Sequence, residues 1–386
     1  MSRIFVFLAI LLLAGCAVQP PAPTLAPCPV CPAPGRPAPP AAPLVSATWE
    51  DLPGWGEDDL APAFAAFLHS CDALEKREIW AQTCASARAL ENPAGSALSA
   101  WFEAQFQPWQ LVNPDGNREG LVTGYYEPIL RGSRTRKPPY LYPVQGVPAD
   151  LIDVELGDLY PQLKHMRLRG RIEGRRLVPY FSREEWDQAQ RTDSVLLWVD
   201  DAIDLFFMQI QGSGQVLLDD GSRVRVSYAD QNGHPYRSIG RWLIDQGQLK
   251  PGQASMQGIK AWAEAHPRRQ QQLLDANPSM VFFRELPFTG EGPPGALGVS
   301  LTPERSIAVD PRFTPLGAPV WLVTTYPDSE RPLSRLMLAQ DTGGAIRSPV
   351  RADFYWGSGD AAGDQAGKMH QKGLMWVLLP RAYIPK

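Results

Sequence analysis

The chain has 386 residues, a formal net charge of −4 and 44% hydrophobic residues, enough for two modest domains or one large one. Charge so close to balance supplies no basic field, which argues against nucleic acid as a partner. The histidines His69, His165, His234, His266 and His370 are scattered without a metal-ligand spacing, so neither a catalytic metal nor another cofactor is expected.

At the N-terminus, Arg3 precedes an apolar stretch from Ile4 to Leu13 that meets Ala14-Gly15-Cys16. The stretch is too short for a permanent membrane span, and its charge, apolar core and small-residue exit are those of a signal peptide over residues 1–15. The exit is a lipobox, which makes Cys16 the expected site of lipidation. Several acyl chains there would anchor the protein, each buried methylene contributing about 0.8 kcal/mol. Ala17 stands where an aspartate would retain a lipoprotein in the inner membrane, so for a Gram-negative source the expectation is an outer-membrane lipoprotein facing the periplasm. Pro20 to Pro43 contains eleven prolines in twenty-four residues. Residues 16–46 therefore read as a linker of polyproline II character, extending about 3.1 Å per residue away from the lipid. Export permits disulfides, and proximity pairs Cys28 with Cys31 and Cys71 with Cys84.

After the linker, Asp58 to Leu74 and Ala94 to Phe106 read as amphipathic helices, with Leu60, Phe64, Phe67 and Leu68 at helical spacing. From Gly120 the pattern turns to short β-like runs: Leu121 to Tyr126, Val195 to Val199, Leu205 to Ile210, and a hairpin across Asp219-Asp220-Gly221-Ser222. Ser182 to Glu185 is a capping box opening a short helix. Further helices are expected over Ser238 to Asp245, Ser255 to Ala265 and after Pro267. Strand signals then return at Val281 to Phe283, Gly298 to Leu301, Ile307 to Val309, Val320 to Thr324, Leu336 to Gln340, Phe354 to Trp356 and Met375 to Leu379. Many short strands without intervening helices point to a closed barrel. The twelve tryptophans suit either sugar faces or cores.

Three aspartates stand beside such runs: Asp310, Asp341 and Asp353. Near other carboxylates and aromatics at a barrel rim, a carboxyl group ionises reluctantly, as a proton donor to a glycosidic oxygen must. Aspartates at strand ends also serve as turn residues bonding backbone amides. Glu127 is a candidate second carboxylate or a structural one. Tyr125 and Tyr126 alternate on a strand, so at most one of them meets substrate. Ser213 lacks a nucleophile elbow and an assignable histidine partner.

Asp310-Pro311-Arg312-Phe313-Thr314-Pro315-Leu316-Gly317, Gln340-Asp341-Thr342-Gly343-Gly344-Ala345-Ile346 and Ala352-Asp353-Phe354-Tyr355-Trp356-Gly357 resemble the 3D domain, a double-psi β-barrel named for three aspartates. Upstream, Thr123-Gly124-Tyr125-Tyr126-Glu127-Pro128, Met208-Gln209-Ile210-Gln211-Gly212-Ser213-Gly214, the run from Tyr228 to Gly240, and Asn277-Pro278-Ser279-Met280-Val281-Phe282-Phe283 resemble the membrane-bound lytic murein transglycosylase A family. The resemblance, from about Gly120 to Leu379, implies a mainly β protein with flanking helices. A double-psi barrel over 47–130 plus 251–386, with its 3D region at about 295–380, would carry an inserted second β-domain over 131–250. It implies peptidoglycan glycan strands as substrate, Asp353 as catalytic acid and Asp341 as its supporting neighbour. Thr123, Tyr125, Gln211, Ser213 and Asp310 would serve the substrate groove. Partners among cell-wall synthesis or division proteins are not identified.

The expected reaction is non-hydrolytic. The C6 hydroxyl of MurNAc attacks its own C1, leaving a 1,6-anhydroMurNAc end, so one carboxyl group suffices where a glycosidase usually needs two. Two alternatives are a hydrolase on the same barrel, using Asp341 or Glu127 as second carboxylate, and a non-catalytic peptidoglycan-binding lipoprotein.

Overall fold

The computed structural model describes residues 43–383 apart from 92 and 165. The signal segment, Cys16, the Cys28 and Cys31 pair and His165 lie outside the described residues.

Strand β1 (Leu44–Ser46) is followed by helices α1 (Leu60–Leu74), α2 (Glu78–Arg88) and α3 (Ser96–Gln105), then β2 (Phe106–Leu111) and β3 (Gly120–Glu127). Asp59 caps α1 by accepting from the Ala61 amide, and Cys71 in α1 is bonded to Cys84 in α2, as proximity suggested. Helix α2 was not anticipated. Helices α1 and α3 and the start of β2 bury Phe64, Phe67, Trp101, Phe102 and Phe106 in one aromatic cluster whose pairs are mostly edge-to-face, a geometry that adds about 0.5–1.5 kcal/mol per pair beyond area burial.

The chain then builds a second β unit. It comprises β4 (Ile129–Ser133), β5 (Tyr142–Gln145), the small sheet β6 (Ile152–Asp153), β7 (Arg169–Glu173) and β8 (Arg176–Pro179), helix α4 (Arg183–Gln188), β9 (Val195–Val199), α5 (Ala202–Gln211), β10 (Ser213–Leu218) and β11 (Arg223–Gln231). Helices α6 (Ile239–Asp245), α7 (Met256–Ala265) and α8 (Gln270–Asp275) precede β12 (Val281–Pro287). Its main sheet has the order β12-β11-β10-β4-β9-β5. Because β12 pairs along β11, this sheet runs to Pro287, past the expected boundary at 250.

The return path supplies β13 (Ser306–Ala308), β14 (Pro319–Thr325), β15 (Pro332–Asp341), β16 (Arg351–Ser358), α9 (Asp360–Lys368) and β17 (His370–Pro380). With β3 these strands close a six-membered ring, β17-β14-β15-β13-β16-β3, because β3 pairs with both β16 and β17. Closure leaves no free edge within the ring, and the six strands fit the expected barrel. Val122, Ile307, Val320, Leu338, Phe354 and Val377 are buried in one continuous core with α1–α3.

Three local expectations fail. Leu205 to Ile210 lies within helix α5, because the Asp201 side chain caps the amides of Ile203 and Asp204 and Gly212, at φ 81°, ends it. A short apolar run does not distinguish buried strand from buried helix. Gly298 to Leu301 holds only an isolated bridge, Pro294 to Ser300. Helix α9 interrupts the supposedly helix-free barrel. The tryptophans are core residues: eight of the twelve, among them Trp55, Trp101, Trp321 and Trp376, are buried and the others half-buried.

Candidate active site

The parallel pairing of β3 with β16 sets the site. Its register places Asp353 opposite Thr123 and Tyr355 opposite Tyr125, and the period of two turns these side chains to one face. Gly124 between them lies on the other face, where a Cβ would sit 2.7 Å from Trp356 Nε1 and 2.8 Å from Ala366 Cα. Only glycine allows β3 to pack this close to β16 and α9. Tyr126 also faces inward, buried, with its hydroxyl 3.1 Å from Met256 Sδ. Tyr125 is thus the tyrosine of the site face.

Thr123 Oγ1 donates to Asp353 Oδ1 at 2.5 Å. Asp353 is half-buried, and its Oδ2 has no hydrogen-bond partner among the described residues, yet is not among the buried unpaired atoms. That oxygen is therefore open. Burial pushes the Asp353 carboxyl above the usual range, and the Asp341 charge adds to the rise, while the Thr123 hydrogen bond and the Arg351 charge oppose it. Asp341, at the end of β15, is engaged at both oxygens: Oδ1 accepts from the Ala296 amide at 2.9 Å and Oδ2 from the Tyr125 hydroxyl at 3.0 Å. Burial raises its affinity for protons too, against those hydrogen bonds. Burial and both aspartates hold the Tyr125 phenol well above its ordinary value, so it remains a donor. Tyr125 also lies against Tyr355, with ring centroids 5.2 Å apart.

Gln211, the last residue of α5, accepts from the Tyr126 amide at 3.2 Å and ties the second β unit to the strand carrying Thr123. Ser213 begins β10 opposite Ser227, half-buried.

Asp310 does not join the other two aspartates. It is buried, and its carboxylate is taken up by Arg312 (Nη2 to Oδ2, 2.6 Å) and by the amides of Ser348 and Arg312 at 3.0 and 3.2 Å. Burial acts upward, but these partners outweigh it and hold the carboxyl below its ordinary value. Glu127 is sealed: Arg225 Nε donates at 2.6 Å, Gln215 Nε2 at 2.7 Å and Ser358 Oγ at 2.8 Å. The pair clamps the end of β3 to β10 and β11.

Sequence reasoning missed Arg351, the Ala296 amide and the Arg225 partner of Glu127. Arg351 had one available signal, its place two residues before Asp353 in a strand. Neither of two cavities, about 540 Å³ around Arg237 and Trp242 and about 240 Å³ around Tyr236, Phe207 and Tyr126, is lined by Asp341 or Asp353. The second lies against Gly124 and Tyr126, on the face of β3 away from Thr123.

Known proteins resemble this chain in both sequence and fold. Residues 121–284 match the MltA specific insert domain and residues 305–379 the 3D domain. The chain is 34% identical to membrane-bound lytic murein transglycosylase A of Escherichia coli K12 over 277 residues, covering 70% of this chain and 68% of that protein. The crystal structure of MltA from Neisseria gonorrhoeae (monoclinic form) superimposes with a TM-score of 0.80 at 38% identity, over 89% of this chain and 94% of that one. E. coli MltA with bound chitohexaose superimposes with a TM-score of 0.68 at 28% identity, over 89% and 96%. On this likeness in sequence and fold, the chain belongs to the membrane-bound lytic murein transglycosylase A family.

Proposed function

We propose that the protein is a lytic transglycosylase of peptidoglycan, membrane-associated in the periplasm, with Asp353 as its catalytic acid. One observation carries the assignment: a half-buried carboxyl group whose proton affinity is raised, held at one oxygen by Thr123 and open at the other. Such a group is protonated where ordinary carboxylates are not, and its free oxygen is available to a leaving group.

The glycan lies with its glycosidic oxygen at Asp353 Oδ2. The proton passes from Oδ2 to that oxygen as the bond from C1 of MurNAc to GlcNAc breaks. The carboxylate left behind takes the proton of the MurNAc C6 hydroxyl while O6 bonds to C1, so the acid is regenerated and no water enters. Intramolecular attack replaces a bimolecular step, and effective molarities of about 10⁵ M or more are known for well-oriented cases. Asp341 contributes negative charge near the developing oxocarbenium ion, and Tyr125 keeps it in place. Gln211 acts through the β3 backbone at Tyr126, and Ser213 is a polar group that the second β unit offers the glycan at the start of β10. Asp310 acts at a distance, by fixing the loop from 310 to 317.

The hydrolytic alternative needs a second free carboxylate, and the two candidates are engaged: Glu127 in a buried ion pair, Asp341 at both oxygens. Cys16 supplies the lipid anchor, and the proline-rich linker the reach from the outer membrane to the wall. The test is mass spectrometry of muropeptides released from purified sacculi. 1,6-AnhydroMurNAc ends are expected, and reducing ends would select the hydrolase.

A further inference from the structure

Arg351 and Asp353 stand two apart on β16, facing the same way. Arg351 Nη2 donates to Thr123 Oγ1 at 2.8 Å, and Nη1 donates to the Leu121 carbonyl at 3.2 Å and to the Ala352 carbonyl. The guanidinium is thus held by backbone on both strands. Thr123 Oγ1 is in turn 2.5 Å from Asp353 Oδ1.

A hydroxyl has one proton and two lone pairs, and a guanidinium only donates. With Arg351 donating into a lone pair of Thr123, and Asp353 Oδ1 the one acceptor that the described residues offer the hydroxyl proton, that proton is directed at Asp353 Oδ1. An oxygen that receives a hydrogen bond from Thr123 at this separation is not the one carrying the acid proton. That proton sits on Oδ2, the open oxygen. We propose that Arg351 is a positioning residue: acting through Thr123, it fixes the catalytic proton of Asp353 on the oxygen that faces the substrate. Without Arg351 the hydroxyl is free to turn and accept from a protonated Oδ1, leaving the acid's proton pointing into the protein. The arginine charge also opposes protonation of Asp353, so burial raises the acid while Arg351 limits the rise.

The inference rests on Asp353 being the acid. The experiment measures kcat, KM and the pH profile of kcat/KM on soluble peptide-free glycan strands for wild type, Arg351→Met, Arg351→Lys, Thr123→Val, the Arg351→Met/Thr123→Val double variant and Asp353→Asn, with melting temperatures as the folding control. Arg351→Met is expected to lower kcat about tenfold with little change in KM, the mark of an interaction made in the transition state. Its alkaline limb moves to higher pH, because the cation opposing protonation is gone. Arg351→Lys returns the limb toward its wild-type position. In the Thr123→Val background, removal of Arg351 costs little further kcat, because both side chains act through one hydroxyl. An unmoved limb in Arg351→Met, or a loss of kcat that multiplies in full with that of Thr123→Val, overturns the proposal. If methionine at 351 prevents folding, the neutral Arg351→Gln, alone and paired with Thr123→Val, takes its place and is read by the same criteria. An active Asp353→Asn would overturn the assignment of the acid itself, whereas an inactive Asp353→Asn beside an unmoved Arg351→Met limb removes only the role of Arg351.

Discussion

Replacing Asp353 by asparagine keeps the shape of the side chain and removes its proton. A positioned general acid contributes about 10²- to 10⁴-fold, which is about 2.7 to 5.4 kcal/mol of barrier. The release of anhydromuropeptides from sacculi by Asp353→Asn should fall by that factor, while its binding to sacculi persists. The same change makes a prediction on stability with the opposite sign. Burial raises the folded-state affinity of Asp353 for its proton above the ordinary carboxyl value of 3.8. Between those two values the folded state holds more protons than the unfolded chain, so wild-type stability declines as pH rises through that window. Asparagine has no such decline. Asp353→Asn should therefore match the wild type below pH 3.8 and be at least as stable at neutral pH, by thermal melting across the range. Activity within about tenfold of the wild type, or a marked loss of stability at neutral pH, would refute the reasoning.

Wild-type kcat/KM should fall as pH rises through the raised value of Asp353, since the free enzyme must carry the proton; a profile flat from acid to alkaline pH would exclude it as the acid. Glu127→Gln leaves the buried Arg225 guanidinium uncompensated and should destabilise by about 3–5 kcal/mol in denaturant titration, while the products remain anhydromuropeptides; a loss of stability under about 1 kcal/mol would mean the clamp is not structural. Asp310→Asn should lower stability by about 1–3 kcal/mol at neutral pH, with the difference fading as acid titrates the depressed wild-type carboxyl; a loss of kcat without a loss of stability would return Asp310 to the substrate site. Replacing Cys71 and Cys84 together with serine should cost about 2–4 kcal/mol, read as a lower denaturant midpoint, and unchanged stability would show that the cross-link is dispensable.

Much of the barrel was legible because its strands announce themselves locally. Ile307 to Val309, Val320 to Thr324 and Met375 to Leu379 are apolar runs between turn residues, and each falls on or overlaps a strand of the ring. Caps were equally local: Ser182, Ser238 and Ser255 each accept from an amide of the helix they open. Leu205 to Ile210 was misread because so short and mostly apolar a run carries no clear period, and the cap at Asp201 outweighed its β character. Helix α9 has few apolar residues, and what holds it is packing of Ala362, Gly363 and Ala366 beside β3 and Tyr126.

By itself the sequence determined the family, the compartment expected for the chain and the aspartates worth attention, because these reside in contiguous motifs of unusual composition. Only the tertiary structure sorted the three aspartates. Asp310 is neutralised by Arg312 and turn amides, Asp341 is spoken for at both oxygens, and Asp353 alone keeps an open one. Proton affinity depends on desolvation and on which donors arrive from elsewhere in the chain. For Asp353 the hydroxyl comes from Thr123, more than two hundred residues away, through a strand register that no local pattern encodes.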